Sequence, residues 1–136
     1  DTLRIIFVGC QTKIATASAN GSFTCVIVRN DGATVTRPAE IVSLVDINTL
    51  KTSTTGTYAA GSIAPDVGYN FIDICGEITV PQQGLCQGYY GNQVYGLTSD
   101  GTDGEVNDAN ANSFDATYEI TFASGNRQYT NTYTRN

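Results

Sequence analysis

The stretch that decides the fold is Phe114-Asp115-Ala116-Thr117-Tyr118-Glu119-Ile120-Thr121-Phe122. Apolar side chains occupy every second position, and Asp, Thr and Glu fill the positions between them. Successive side chains of a β-strand point to opposite faces. The alternation therefore predicts an antiparallel strand with one buried face and one solvated face.

The residues that follow this stretch predict a hairpin. Ser124-Gly125-Asn126 has the composition of a turn, and residues 127–134 then return along the first strand. The returning strand places Tyr129, Asn131 and Tyr133 on one face and mainly Thr on the other. This polar character predicts an exposed or edge strand.

Further short runs of β-branched and aromatic residues extend the prediction to the whole chain. Four more candidate strands cover residues 23–28, 40–47, 69–75 and 77–80. The first two are apolar at consecutive positions, which is typical of strands buried on both faces, and no window of a dozen residues has helical spacing. We therefore expect one all-β domain over residues 1–136. An antiparallel β-sandwich or jelly-roll-like fold of eight or nine strands, with an Ig-like arrangement included, fits this spacing.

Composition excludes several classes of function. Seven Lys and Arg stand against thirteen Asp and Glu, a net charge of -6, which argues against a nucleic-acid partner. The absence of His removes His-based catalysis and His-ligated metals. A membrane span is not expected, because no apolar run approaches about 20 residues. No cofactor is predicted.

The cysteines predict an oxidising compartment. Cys10, Cys25, Cys75 and Cys86 form an even, widely spaced set without a CxxC pair. Such a set is typical of two disulfides in a secreted protein. Three connectivities are open, and the sequential one, Cys10–Cys25 with Cys75–Cys86, closes the shortest loops. The lack of any Met agrees with an extracellular or cell-surface protein whose leader has been removed.

The N-terminal segment is the most unusual feature. It places large apolar side chains on two faces of an expected strand within residues 1–9: Leu3, Ile5, Ile6, Phe7 and Val8. Their burial represents roughly 7–15 kcal/mol of gross hydrophobic free energy, so the segment must be sheltered. It is either the first strand of its own domain or a donor strand that pairs with a neighbouring copy. The second arrangement makes a head-to-tail contact that propagates into a filament.

Two other regions are candidate binding sites. A Gly-punctuated cluster after Cys86 could stack on sugars or contact another protein; it consists of Tyr89, Tyr90, Asn92, Gln93 and Tyr95. The acidic loop with Asp100, Asp103 and Glu105 is a weak calcium candidate whose spacing matches no EF-hand. Each region also has a purely structural interpretation, as an edge hairpin and as a solvated loop.

The remaining chemical signals are sparse. Asp73 and Glu77 are the one carboxylate pair considered for glycosidase chemistry, which needs two carboxyls about 5–10 Å apart. Most such acids form turns or accept backbone hydrogen bonds, so no catalytic residue is predicted. Asn20-Gly21-Ser22 is a glycosylation sequon.

A Thr- and Gly-rich β-domain with an early cysteine pair and an apolar terminal strand resembles the strand-exchanging subunits of pili and fimbriae. The resemblance covers composition and architecture, and it implies a non-catalytic filament subunit whose partners are copies of itself. Chaperone–usher subunits end in an alternating apolar strand, whereas this chain ends in Tyr133-Thr134-Arg135-Asn136. The alternative is a small secreted module, lectin-like or effector-type, that binds glycans or proteins through residues 89–95.

Overall fold

The fold is built from β-strands. The structure is a computed structural model, and it describes residues 12–14, 21–53, 68–85, 92–96, 103–106, 112–120 and 127–136. Lys13 and Ile14 have helical backbone, and every named element is a strand. These are β1 (Gly21–Arg29), β2 (Thr34–Leu44), β3 (Thr49–Thr52), β4 (Asn70–Ile74), β5 (Glu77–Thr79), β6 (Gln83–Leu85), β7 (Asn92–Gly96), β8 (Gly104–Glu105), β9 (Ser113–Ile120) and β10 (Arg127–Arg135).

The strands form a single antiparallel sheet in the order β6-β7-β9-β10-β1-β2-β3-β4-β5-β8. The last strand curves back to β9, because Val106 bridges Phe114 and the Thr117 amide donates to the Asp103 carbonyl (2.7 Å). Strands β9, β10, β1 to β5 and β8 therefore make an eight-stranded, nearly closed, barrel-like sheet. The all-β prediction is confirmed.

Side chains complete the closure where strand pairing ends. Gln83 accepts the Asn70 amide and donates to the Asn70 carbonyl, both at 2.7 Å, so it takes the place of a strand partner between β4 and β6. At the β8–β9 contact, a Cβ on Gly104 would overlap the Asp115 carbonyl oxygen. Only glycine permits this close approach of two backbones.

Strand β9 confirms the alternation from which its fold class was predicted. Phe114, Ala116, Tyr118 and Ile120 are buried, and the residues between them are partly exposed. Strand β10 also turns the predicted face inward, but the prediction of an edge strand is wrong. It pairs with β9 on one side and with β1 on the other. Its Thr-rich face does not require a sheet edge, because this sheet is solvated on its outer face.

Strands β1 and β2 bury one face, not two. Phe23, Cys25 and Ile27 are buried, whereas Val28 is 42% exposed. In β2 the predicted two-sided burial also fails: Ile41 is 42% and Val45, just past the strand, 56% exposed. A nearly closed sheet has one interior, so consecutive apolar residues cannot all face it.

The interior is packed with aromatic rings that join opposite sides of the sheet. The ring of Tyr69, the residue before β4, lies 4.8 Å from the Tyr118 ring of β9, and the Phe71 ring of β4 lies 5.3 Å from the Phe114 ring of β9. The Phe114 ring stacks on that of Tyr133 at 4.4 Å. Strands β4 and β9 thus pack face to face across the core.

The two-disulfide prediction is wrong at Cys25. This cysteine is free and fully buried on the inner face of β1, where its thiol is hydrogen-bonded with Tyr133. Cys75 is disulfide-bonded. Cys10 and Cys86 lie outside the described residues. With Cys25 free, four cysteines allow at most one intrachain disulfide.

The C-terminal residues are held by the chain itself. The Asn136 amide donates to the Ser22 carbonyl (2.9 Å), and its side chain bonds Ser22 Oγ, the Thr24 hydroxyl and the Pro38 carbonyl. Pro38 lies in a β-bulge, where two residues of β2 face one residue of β1. The bulge thereby forms part of the pocket for the last residue.

Candidate functional site

Most of the predicted site residues lie outside the described residues. This holds for the N-terminal set Leu3, Ile5, Ile6, Phe7 and Val8, and for Asn20, Tyr89, Tyr90 and Asp100. Of the tyrosine cluster, the structure describes the backbone of β7, which carries Asn92, Gln93 and Tyr95. This strand pairs with β6 on one side and β9 on the other, so its backbone is not a free edge. Its role in binding stays a prediction.

The two carboxylates considered for catalysis do not converge. Asp73 is fully buried on the inner side of β4, whereas Glu77 of β5 is exposed. Glu77 pairs with Ile74 rather than with Asp73 in the register of these strands. The two side chains lie on opposite faces of the sheet, with no shared cleft.

Asp73 fastens the described N-terminal segment to the sheet. Its Oδ2 accepts the Ile14 amide (2.9 Å), and its Oδ1 accepts the Gly76 amide (2.8 Å). The Thr12 hydroxyl donates to the Asp73 carbonyl (2.9 Å) and to the Ile47 carbonyl (3.2 Å). The chain therefore enters the described fold beside the loop that joins β2 to β3.

The electrostatics of Asp73 match this anchoring role. Burial raises the pKa of its carboxyl above the ordinary value, and the amide bonds together with the Lys13 charge oppose that rise. Within the described residues, its carboxylate oxygens accept hydrogen bonds from the backbone amides of Ile14, Gly76 and Lys13. From the sequence, Asp73 is considered only as half of a glycosidase pair, and its contacts are those of a structural anchor.

The two described members of the calcium candidate also differ in environment. Asp103 is 2% exposed and accepts the Val80 amide at 2.9 Å. Glu105 is exposed. Within the described ranges no group of three or more Asp, Glu, Cys or His side chains could hold a metal ion. The calcium site depends on Asp100 and stays a prediction.

An exposed apolar surface lies on the outer side of β2 and β3. A groove of about 290 Å³ is lined by Ile41, Ser43, Val45, Lys51, Thr52 and Ser53. We call it the outer groove. Ile47, which is 83% exposed, lies in the loop just beyond Val45. Exposed apolar side chains grouped on one face are typical of an interaction surface.

The outer groove combines apolar walls with a few polar groups. Ser53 is held in place because its Oγ accepts the Ile41 amide (3.0 Å), and Lys51 places one positive charge on the same face. The sequence does not predict this surface, because the apolar run in residues 40–47 indicates a strand buried on both faces. The pattern that could have indicated it is the run of apolar residues on both faces of the strand. In a sheet with one interior, only one of these faces is buried, so the other is exposed.

A buried polar cluster in the interior is structural. Asn131 Nδ2 donates to the hydroxyls of Tyr118 (2.9 Å) and Tyr133 (3.3 Å), and the Tyr133 hydroxyl lies 2.8 Å from that of Tyr69. Burial raises the pKa of all three tyrosines well above the ordinary range. Among the described residues around them, rings and aliphatic side chains fill the space.

Comparisons with known proteins return no relative: neither a family model, nor a curated protein, nor a solved structure matches the chain. Within the described part of the chain no helix has the length and apolar character needed to cross a membrane. The function is therefore inferred from the geometry of the chain itself.

Proposed function

We propose that the protein is a non-catalytic structural subunit of an extracellular filament. Its copies join head to tail through the N-terminal segment, residues 3–8, which adds as a strand to a neighbour. The observation that carries the proposal is the exposed apolar surface around Ile41, Val45 and Ile47 on an otherwise nearly closed sheet. This surface and the apolar N-terminal segment both need a partner.

The architecture supports a durable building block. β4 and β9 pack face to face across the core. We propose on this basis that the two halves of the sheet pack as in a β-sandwich. A disulfide at Cys75 favours an oxidising, extracellular location. Such a unit can be added to a growing polymer as a rigid body.

The test is the particle size of the full chain as a function of concentration, by sedimentation velocity and negative-stain electron microscopy. We expect filaments or a ladder of oligomers. The triple variant Leu3→Ser, Ile5→Ser, Phe7→Ser should yield monomers, because it removes one apolar face of the segment. The conservative triple variant Leu3→Ile, Ile5→Val, Phe7→Leu should still assemble.

A folded chain of 14.4 kDa that stays monomeric at all concentrations would reject the proposal. That result would favour the alternative, a secreted glycan- or protein-binding module. Binding lost in a Tyr90→Ala variant on a glycan array would then support the alternative.

A further inference from the structure

We infer that the outer groove is the surface on which residues 3–8 of a second copy dock. The inference rests on the proposed head-to-tail assembly, and it replaces pairing at a strand edge by docking on the outer face of β2, which is already paired with β1 and β3. The groove offers Ile41 and Val45 as apolar walls, with Ser43 and Ser53 between and beside them. A strand lying along β2 would set alternate apolar side chains against these walls.

The described chain begins at Thr12, beside the loop that joins β2 to β3. Thr12 bonds the carbonyl of Ile47, two residues beyond Val45, which lines the groove. An extended chain spans about 3.3 Å per residue. Residues 3–8 precede Thr12 by nine to four positions, so an extended segment has a reach of about 13–30 Å from Thr12.

The two-sided character of the segment selects a second copy as the source. Leu3, Ile5 and Phe7 occupy one face of the expected strand, and Ile6 and Val8 occupy the other. Docking on a single sheet surface covers one of these faces and leaves the other in water. Placing the strand between two subunits covers both.

Competing surfaces fit less well. Val28 and Ile74 are also exposed apolar residues, on β1 and β4. Neither lines the groove. Strand addition at a backbone edge is also restricted, because the end strands of the sheet, β6 and β8, have three and two residues. An outer-face contact therefore accommodates the full length of the segment.

The decisive experiment compares two matched substitutions in the full chain. Ile41→Asp places a charge in the groove, and Val28→Asp places the same charge on the neighbouring strand; both parent residues are 42% exposed. We expect Ile41→Asp to raise the concentration needed for assembly by about tenfold to a hundredfold, the loss for one buried aliphatic side chain. Val28→Asp should assemble like the parent. Circular dichroism and thermal melts verify that both variants fold, and Val45→Asp serves as a second groove variant.

Photo-crosslinking identifies the source of the segment. Phe7 is replaced by p-benzoylphenylalanine in unlabelled protein, which is mixed with an equal amount of ¹⁵N-labelled parent protein. Crosslinks between the unlabelled segment and labelled residues 41–53 support the inference. Crosslinks confined to one copy, or to a surface other than the groove, overturn it.

The outcomes separate this inference from the proposed function. If Ile41→Asp and Val45→Asp both polymerise like the parent, the groove is not the acceptor, although the filament proposal stands. If the parent chain itself never assembles, the filament proposal fails first.

Discussion

Cys25 lies in the barrel interior with its thiol against the Tyr133 hydroxyl. Burial raises the pKa of this thiol to about 12, while Glu40 and Arg37 act on it in opposite directions. The nucleophile in alkylation is the thiolate. At pH 8 the folded protein therefore presents almost none of the reactive form.

We predict that iodoacetamide leaves Cys25 unmodified in the native protein at pH 8 and modifies it after unfolding in guanidinium. Peptide mapping by mass spectrometry assigns the modified site. A Cys25→Ala variant provides the peptide without the thiol as a reference. Rapid modification of Cys25 under native conditions would contradict its placement in the core.

Asp73 is a second buried residue whose contribution to stability can be measured. An Asn at this position keeps one acceptor oxygen and turns an NH₂ group toward the Ile14 or Gly76 amide. We predict that Asp73→Asn lowers the free energy of unfolding by about 1–3 kcal/mol at neutral pH, the cost of a buried group left without its hydrogen bond. The exposed Glu77→Gln on β5 is the control and should change stability by less than about 0.5 kcal/mol.

The pH dependence of stability gives the sign of the same effect. The pKa of Asp73 is raised in the folded state, so the folded protein binds the proton more tightly than the unfolded chain does. The resulting contribution to the free energy of unfolding is fully present below the ordinary aspartate pKa, and it is lost as the pH rises through the raised pKa. Urea melts across this window should show a decline in the parent that Asp73→Asn lacks. An equal decline in both proteins would assign it to other groups.

At the scale of elements, β10 is the strand on which the interior hydrogen bonds converge. It contributes Asn131 and Tyr133, and these join β9 through Tyr118 and the opposite wall through Tyr69. We predict that Tyr133→Phe destabilises the fold by about 1–3 kcal/mol, since it removes partners of the Tyr69 hydroxyl and the Asn131 amide. Chemical denaturation measures the difference.

The control for this prediction lies one position away on the same strand. Thr132 is exposed on the outer face, so Thr132→Val changes a hydroxyl without touching the interior cluster. Its effect should stay within about 0.5 kcal/mol. Equal destabilisation by both substitutions would mean that strand propensity, not the cluster, determines the loss.

The elements differ in how far the sequence predicts them. The alternation in residues 114–122 predicts β9, and the described turn at Asn30-Asp31-Gly32, where Gly32 has a φ of 96°, consists of residues that favour turns locally. The interior position of β10 could not be predicted, because its neighbour β1 lies about a hundred residues earlier in the chain. The sequence likewise contains no local signal that pairs Asp73 with Thr12, 61 residues away.

The candidate surface illustrates the same limit. Ile41 and Val45 belong to the apolar run that predicts a strand over residues 40–47, but their exposure depends on the sheet being nearly closed around one interior. Closure rests on contacts between different elements, such as the bridge from Val106 to Phe114 and the bonds between Gln83 and Asn70. Local periodicity does not encode these pairings.

At the scale of the whole molecule, net charge and apolar contact oppose each other. Each copy carries a net charge of -6, so neighbouring subunits repel at low ionic strength. Salt shortens the range of this repulsion from about 10 Å at 0.1 M to about 3 Å at 1 M. The proposed contact between the N-terminal segment and the outer groove is mainly apolar and is not weakened by screening.

We therefore predict that assembly of the full chain increases when NaCl is raised from 0.05 to 0.5 M (about a threefold shorter screening length) and decreases on cooling from 37 to 4 °C, because hydrophobic association weakens in the cold. Light scattering at fixed protein concentration measures both effects. The Ile41→Asp variant, with one more negative charge in the groove, should need more salt than the Val28→Asp variant to reach the same scattering. Assembly that declines with salt would instead indicate a contact held by ion pairs, with Lys51 as its first candidate cation in the groove.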